Sequence, residues 1–223
     1  MMKILLQLVL FVFPWWIRRR ILNSVFRYQI HPSAKIGFSI ILAEKLIMKE
    51  RSQIGAFTFC KKISLLHLNN AAKIGSLNYI TGYPTTLKDS FSHIVDRKCE
   101  LIINEHTAIT SRHFIDCTAG VYLGKYTTFA GIRSQILTHS IDLKYCRQDA
   151  EPVHIGNYCF VGSGCILLKG SVLPDYSVLG AASMLNKAYS DTGYLYGGVP
   201  AKKISEISVK EHLYFSRQNG YVK

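Results

Sequence analysis

Apolar side chains return every six residues along most of this chain. Ile30, Ile36, Leu42, Met48, Ile54, Cys60 and Leu66 stand six apart, with Gly37 and Gly55 following two of them. Ile155, Val161, Leu167, Leu173, Leu179 and Leu185 repeat the step late in the chain, with Gly156, Gly162 and Gly180 following. Ile103, Ile109, Ile115 and Val121 carry it between, and a shifted register resumes at Leu123 and Phe129. Four residues on from the first and last ladders runs a mostly small companion set: Ala34, Ile40, Leu46, Ser52, Thr58 and Ser64 early, then Cys159, Cys165, Ser171, Ser177 and Ser183. An α-helix repeats its apolar stripe at 3.6 residues and a lone strand at 2, so a sustained six fits neither. It fits short strands joined by tight turns, three to a triangular coil of about eighteen residues. The large aliphatic then fills the interior, the small residue fits a corner, and Gly supplies permissive backbone.

The period fails over residues 83–98 and 141–152, which are expected as loops projecting from the coils. Ahead of the repeat, Ile4 to Ile17 are apolar apart from Gln7, Pro14 interrupts them, and Trp15 and Trp16 run into Arg18, Arg19 and Arg20. The run is too short to span a bilayer, which needs about 20 apolar residues, and it lacks the small-residue site of a cleaved signal peptide. Two readings of residues 1–29 stay open: a helix lying in an anionic membrane surface, with tryptophans at headgroup level and arginines on lipid, or a helix capping the exposed β edge. Residues 30–205 are expected to form one β-helix domain and 206–223 a tail, with a helical cap at the C-terminal end.

A length of 223 residues with 48% hydrophobic composition suits one folded domain rather than a disordered chain. Six cysteines without a CxxC pair read as free thiols in a reducing cytoplasm. The net charge of +13 predicts attraction to a polyanion. No nucleic-acid module accompanies it, which leaves an anionic membrane or a phosphate-bearing ligand.

The six-residue pattern resembles that of the hexapeptide-repeat acyltransferases over roughly residues 30–205. The resemblance implies an all-β, left-handed parallel β-helix; the handedness comes from the family and not from the spacing. Thr138-His139-Ser140-Ile141-Asp142, a polar loop, and then Pro152 to Gly162 are similar to the stretch around the catalytic histidine of maltose and galactoside O-acetyltransferases. That similarity implies His139 as general base. The chemistry agrees, because an imidazole with an ordinary pKa near 6.5 can take the proton of a sugar hydroxyl as it attacks a thioester. Asp142 is then a candidate to orient the imidazole or bind the acceptor, and Asp116 falls close to an acceptor-binding Asp of related sugar acetyltransferases. His113 joins them as a substrate-site candidate on the small-residue register, flanked by Arg112 and Arg133.

Leu179 to Lys187 and Gly197-Gly198-Val199-Pro200-Ala201-Lys202 resemble the family's late coil and closing segment. They imply acetyl-CoA as co-substrate, with Gly162, Ser163, Ala181 and Ala182 letting the pantetheine arm lie along the coils and Lys187, Lys202 and Lys203 meeting phosphates. Asn186 stands where the family has Thr, and Phe160 where relatives often carry Trp near the acyl group. No metal is implied, since His106, His113, His139 and His154 lack the paired spacing of the zinc enzymes that share the fold. The layout is most similar to acetyltransferases of surface-polysaccharide and colanic-acid-type biosynthesis. It implies a homotrimer acting on a sugar hydroxyl, with N-acylation of an amino sugar and a non-catalytic scaffold as alternatives.

Overall fold

The computed structural model describes residues 2–86, 90–220 and 222. Leu87, Lys88 and Asp89 of the first expected loop, Met1 of the N-terminal segment, and Tyr221 and Lys223 of the tail lie outside the described residues. Among the described residues, short strands stack into three long sheets, one per side of a triangular coil. The first holds seven strands from Gln29–Ile30 to Val172–Leu173, the third seven from Ile40–Leu42 to Met184–Leu185. The second holds nine, from Lys35–Ile36 through Val178–Leu179 and Tyr194–Gly197 to Lys202–Glu206. Every coil-to-coil pairing in them is parallel, as in Ile54 with Ile74, Ile109 with Phe129 and Val161 with Leu179. The chain is a parallel β-helix.

Alternation along each strand sends one set of side chains inward. The inward columns are the six-step ladders: Met48, Ile54, Cys60, Leu66, Ile103, Ile109, Ile115, Val121, Phe129, Val161, Leu167, Leu173, Leu179 and Leu185 are all buried. Each such side chain contributes about 1.5–3 kcal/mol on leaving water. The ladder slips at Leu42. In the first coil the step from Ile36 to the next inward residue is one shorter, so Ile41 pairs with Cys60 and is buried while Leu42 is half-exposed. Ser39 accordingly takes the corner expected for Ile40. The shifted register at Leu123 arises because Ile103 pairs with Leu123, twenty residues on, whereas Ile155 pairs with Leu173, eighteen on.

Corner residues are small because successive coils nearly touch there. A Cβ on Gly75 would stand 2.5 Å from the Thr110 carbonyl oxygen. Buried corner hydroxyls bond the adjacent coil: Thr58 Oγ1 donates to the Gly75 carbonyl and Thr127 Oγ1 to the Gly156 carbonyl.

The open first coil is covered by two helices rather than one, α1 (Met2–Leu10) and α2 (Trp15–Val25), separated at Pro14. Leu10 and Leu22 are buried in the core, and polar side chains add hydrogen bonds to the open coil. Gln7 is buried and spans both backbone groups of Ile41, its Oε1 accepting from the N–H at 2.9 Å and its Nε2 donating to the carbonyl at 2.6 Å. Trp15 Nε1 donates to the Ala34 carbonyl, and the buried Arg18 guanidinium donates to the Gly37 carbonyl among the rings of Phe11, Trp15 and Phe38. Trp15 and Arg18 therefore do not face lipid. The far end differs from the expected helical cap. Strand Lys202–Glu206 turns back antiparallel on Tyr194–Gly197, because a returning strand satisfies edge backbone groups that a helix would leave unpaired. Two 3-10 turns, Val209–Glu211 and Leu213–Ser216, then lead down the second face, where Tyr214 Oη donates to the Cys159 carbonyl and Arg217 to that of Tyr126. No described helix is long and apolar enough to cross a membrane.

Replacing Gln7 with Leu is expected to strand the Ile41 N–H, while the carbonyl keeps its bond from Tyr28 Oη, and to destabilise the protein by about 1–3 kcal/mol. Urea unfolding followed by circular dichroism measures it, and an unchanged midpoint would show that water satisfies this edge instead.

Candidate active site

The third face ends at an edge where the chain must turn onto the first face, and three consecutive coils treat that edge differently. After Thr81 the chain leaves through residues 82–99; after Asp116 it turns tightly through Cys117 to Gly120; after Leu137 it leaves again. The second excursion is a β-hairpin and not an irregular loop. Strand His139–Asp142 pairs antiparallel with Arg147–Ala150, so His139 is the first residue of a projecting arm. The two excursions bracket the plain turn and put Asp116 between them.

Asp116 is buried, and its carboxylate accepts five hydrogen bonds: from Thr118 N at 3.2 Å and Oγ1 at 2.6 Å, Thr138 N and Oγ1 each at 2.8 Å, and His139 Nδ1 at 2.7 Å. Burial pushes its pKa up, but the bonds from His139, Thr118 and Thr138 outweigh this and hold it below the usual carboxylate value. The same bond raises the His139 pKa above its ordinary value, against opposing burial and the nearby Arg97 charge. With Nδ1–H donated to the carboxylate, Nε2 keeps its lone pair, and about a third of the imidazole side chain is exposed. A neutral imidazole held this way can accept a proton at Nε2.

That geometry reassigns the neighbouring candidates. Asp116 holds the His139 imidazole, and both its oxygens are engaged within the chain. Asp142 does not reach the imidazole in that role: its Oδ1 accepts from the N–H groups of Lys144 and Tyr145 and its Oδ2 lies 3.6 Å from Arg147, closing its own hairpin. His113 is buried, with Nδ1 accepting from Ser134 N and Nε2 beside Thr110 Oγ1, and burial pushes its pKa down to about 4. It is a corner side chain rather than a substrate contact. Arg112 and Arg133 both sit at φ 62° on the opposite edge of the third face, Arg133 N donating to the Arg112 carbonyl.

The cofactor candidates do not converge on His139 within one chain. Ser163, Ala181 and Ala182 are exposed on the edge between the second and third faces, where Gly162 lies so near the next coil that a Cβ would meet Ala181 N at 2.7 Å. Asn186 and Lys187 are exposed past the last strand of the third face, on the His139 edge, with Lys187 over the Tyr189 ring. Lys202 is exposed, while Lys203 pairs with Asp191 at 2.6 Å and stacks on Tyr194. Phe160 lies on the second face against Tyr214 of the tail, in an open apolar recess of about 330 Å³.

The polysialic acid O-acetyltransferase OatWY superposes with a TM-score of 0.61 at 18% identity, covering 80% of this chain and 84% of that one. The chain has the fold of the hexapeptide-repeat acetyltransferases. One of these, from Vibrio cholerae and complexed with acetyl coenzyme A, matches at TM-score 0.52 and 20% identity over 64% of this chain and 71% of its own. A mutant of AntD, an N-acyltransferase from Bacillus cereus complexed with dTDP-4-amino-4,6-dideoxyglucose and coenzyme A, matches at TM-score 0.52 and 14% identity over 78% and 85%. No protein-family model and no curated protein matches the chain.

On this hexapeptide-repeat fold the described residues of the first excursion, 82–86 and 90–99, stand beside the imidazole, a placement its sequence did not announce. Tyr83 and Phe91 stand edge-on to His139, with ring centroids at 5.8 and 6.4 Å. Arg97 holds them there, its guanidinium donating to the carbonyls of Tyr83, Thr118 and Pro84 and lying over the Phe91 ring. The local signal was only an Arg and two aromatics where the period lapses. Asp116→Asn is expected to lower the His139 pKa by removing its carboxylate partner. An NMR titration of the imidazole measures the change, and an unmoved midpoint would mean the bond is not made in solution.

Proposed function

We propose that this protein is an acetyl-CoA-dependent O-acetyltransferase acting on a sugar hydroxyl in cytoplasmic surface-polysaccharide biosynthesis. The observation that carries the reading is the buried Asp116 carboxylate bonded to Nδ1 of a partly exposed His139, which leaves Nε2 as the site for a proton. Nε2 takes the acceptor proton as the hydroxyl oxygen bonds to the thioester carbonyl carbon; the tetrahedral adduct then expels the coenzyme A thiolate, which recovers that proton from the imidazolium. Exposed Ser163, Ala181 and Ala182 would accept the pantetheine arm, and Asn186, Lys187 and Lys202 the nucleotide end; Lys203 would first give up Asp191.

The proposed assembly is a homotrimer of left-handed β-helices. It rests on two observations besides the family resemblance. The His139 edge and the Gly162–Ala181 edge flank the third face, and a neighbouring subunit would bring such edges together in a shared cleft. The outer side of that face carries stacked Phe59, Tyr79 and Phe114, with exposed Phe57, Leu77 and Ile132 beside it.

Titration calorimetry with acetyl-CoA is expected to show binding to wild type and to His139→Ala alike. Thiol release driven by a sugar should fall about a hundred- to ten-thousandfold in the variant. Absence of coenzyme A binding would overturn the reading in favour of a scaffold, and release driven by amino sugars alone would replace O- with N-transfer. Because the neutral imidazole is the working form, wild-type kcat/KM for the acceptor should fall as pH drops through the raised His139 pKa. In Asp116→Asn that acid limb should move to lower pH.

A further inference from the structure

The two helices at the N-terminal end bury Leu10 and Leu22 in the core, yet carry more large apolar side chains on their outer side than the cap uses. In α1 the polar Gln7 faces the coil and bonds Ile41, while Leu5, Leu8 and Val9 face solvent, followed by Val12, Phe13 and Trp16 at the junction with α2. Met2 is 83% exposed, Val12 81% and Val9 59%. Covering an open β edge calls for the Gln7, Trp15 and Arg18 contacts and leaves this outer stripe unexplained. Leaving so many large apolar side chains contiguous in water is costly unless something covers them.

The charges around the stripe say what covers it. Residues 1–43 contain Lys3, Arg18, Arg19, Arg20, Arg27 and Lys35 and no acidic residue, the first being Glu44. Arg18 is spent on the cap, but Lys3, Arg20 and Arg27 are exposed, Arg20 with its guanidinium over the outward Trp16 ring at 5.5 Å. A second copy of this end would bring like charges together. We infer that this face docks on an anionic phospholipid bilayer, with Leu5, Leu8, Val9 and Val12 at the acyl boundary, Trp16 at headgroup level and Lys3, Arg20 and Arg27 on the lipid phosphates. The helix is placed in the surface, since no described helix is long and apolar enough to cross a bilayer. The inference stands independently of the acetyl-transfer reading, because none of these residues belongs to the His139 site.

Full-length protein is mixed with phosphatidylcholine vesicles with and without phosphatidylglycerol and sedimented. Wild type should go down with the anionic vesicles only, less so at high salt, with a blue shift of tryptophan emission that Trp16→Phe removes. The double variant Leu5→Asp, Val9→Asp should lose about tenfold or more of the partitioning while keeping wild-type circular dichroism and melting, since both side chains point into solvent. Wild type staying in the supernatant, or the double variant binding like wild type, would overturn the inference. So would a drop in assembly mass in the double variant without vesicle binding by wild type, which would make this face a contact between copies.

Discussion

Every strand of a β-helix bonds only to the coil above and the coil below, and the space those coils enclose is one side chain deep on each of three sides. The rest of the molecule follows from that constraint. Inward positions must be filled, which holds the columns through Ile54, Ile74, Ile109 and Ile115 to apolar residues, mostly aliphatic, with Phe129 and Tyr196 among them. Corners are mostly small, because backbones approach closely at Gly75 and its equivalents, with Asn78 and His113 as larger members. The two ends remain as rows of unpaired amides and carbonyls, and they are closed by different means: the Gln7 side chain at one, an antiparallel strand at the other. Extra chain can leave only at an edge, and both excursions leave at the same one.

That shared edge makes the site. Burying an isolated carboxylate costs several kcal/mol, yet Asp116 sits at the end of an inward strand because a tight turn on its own coil and the hairpin on the next supply donors. Thr118 and Thr138 each give two and His139 the fifth. Hydrogen bonds to a charged group contribute about 1.5–3 kcal/mol each, so the carboxylate stays ionised and the imidazole is held in one tautomer. Thr118 Oγ1 also accepts from Tyr83 N, which ties the aromatic wall of the other excursion to the same carboxylate. The helices at the N-terminal end show the same economy, one side serving the open coil and the other left outward.

The six-residue ladder was legible because it reflects a local rule repeated in every coil: which residue of each short strand points inward. It faltered where coils differ in length, at Leu42 and again near Leu123, since spacing along the chain does not reveal which coil has an extra residue. The sequence pointed to His139 from its segment but did not reveal the carboxylate that it bonds. Asp142 lay three residues away and Asp116 twenty-three, and only the stacking of two coils, with the turn between Asp116 and Val121 kept short, brought the distant one to 2.7 Å.

The sequence by itself determined the repeat, the strand-and-corner character of its positions, the places where the chain leaves the coil, and the histidine that heads the second departure. These are properties of short segments, decided by side-chain size and polarity residue by residue. Only the tertiary structure decided that Asp116 and not Asp142 bonds the His139 imidazole, that His113 is buried, that Tyr83, Phe91 and Arg97 stand around that ring, and that Gln7 and Leu10 face in while Leu5, Leu8 and Val9 face out. Each of these depends on which coils lie against each other, and that is set by coil length and end closure rather than by any one stretch of chain.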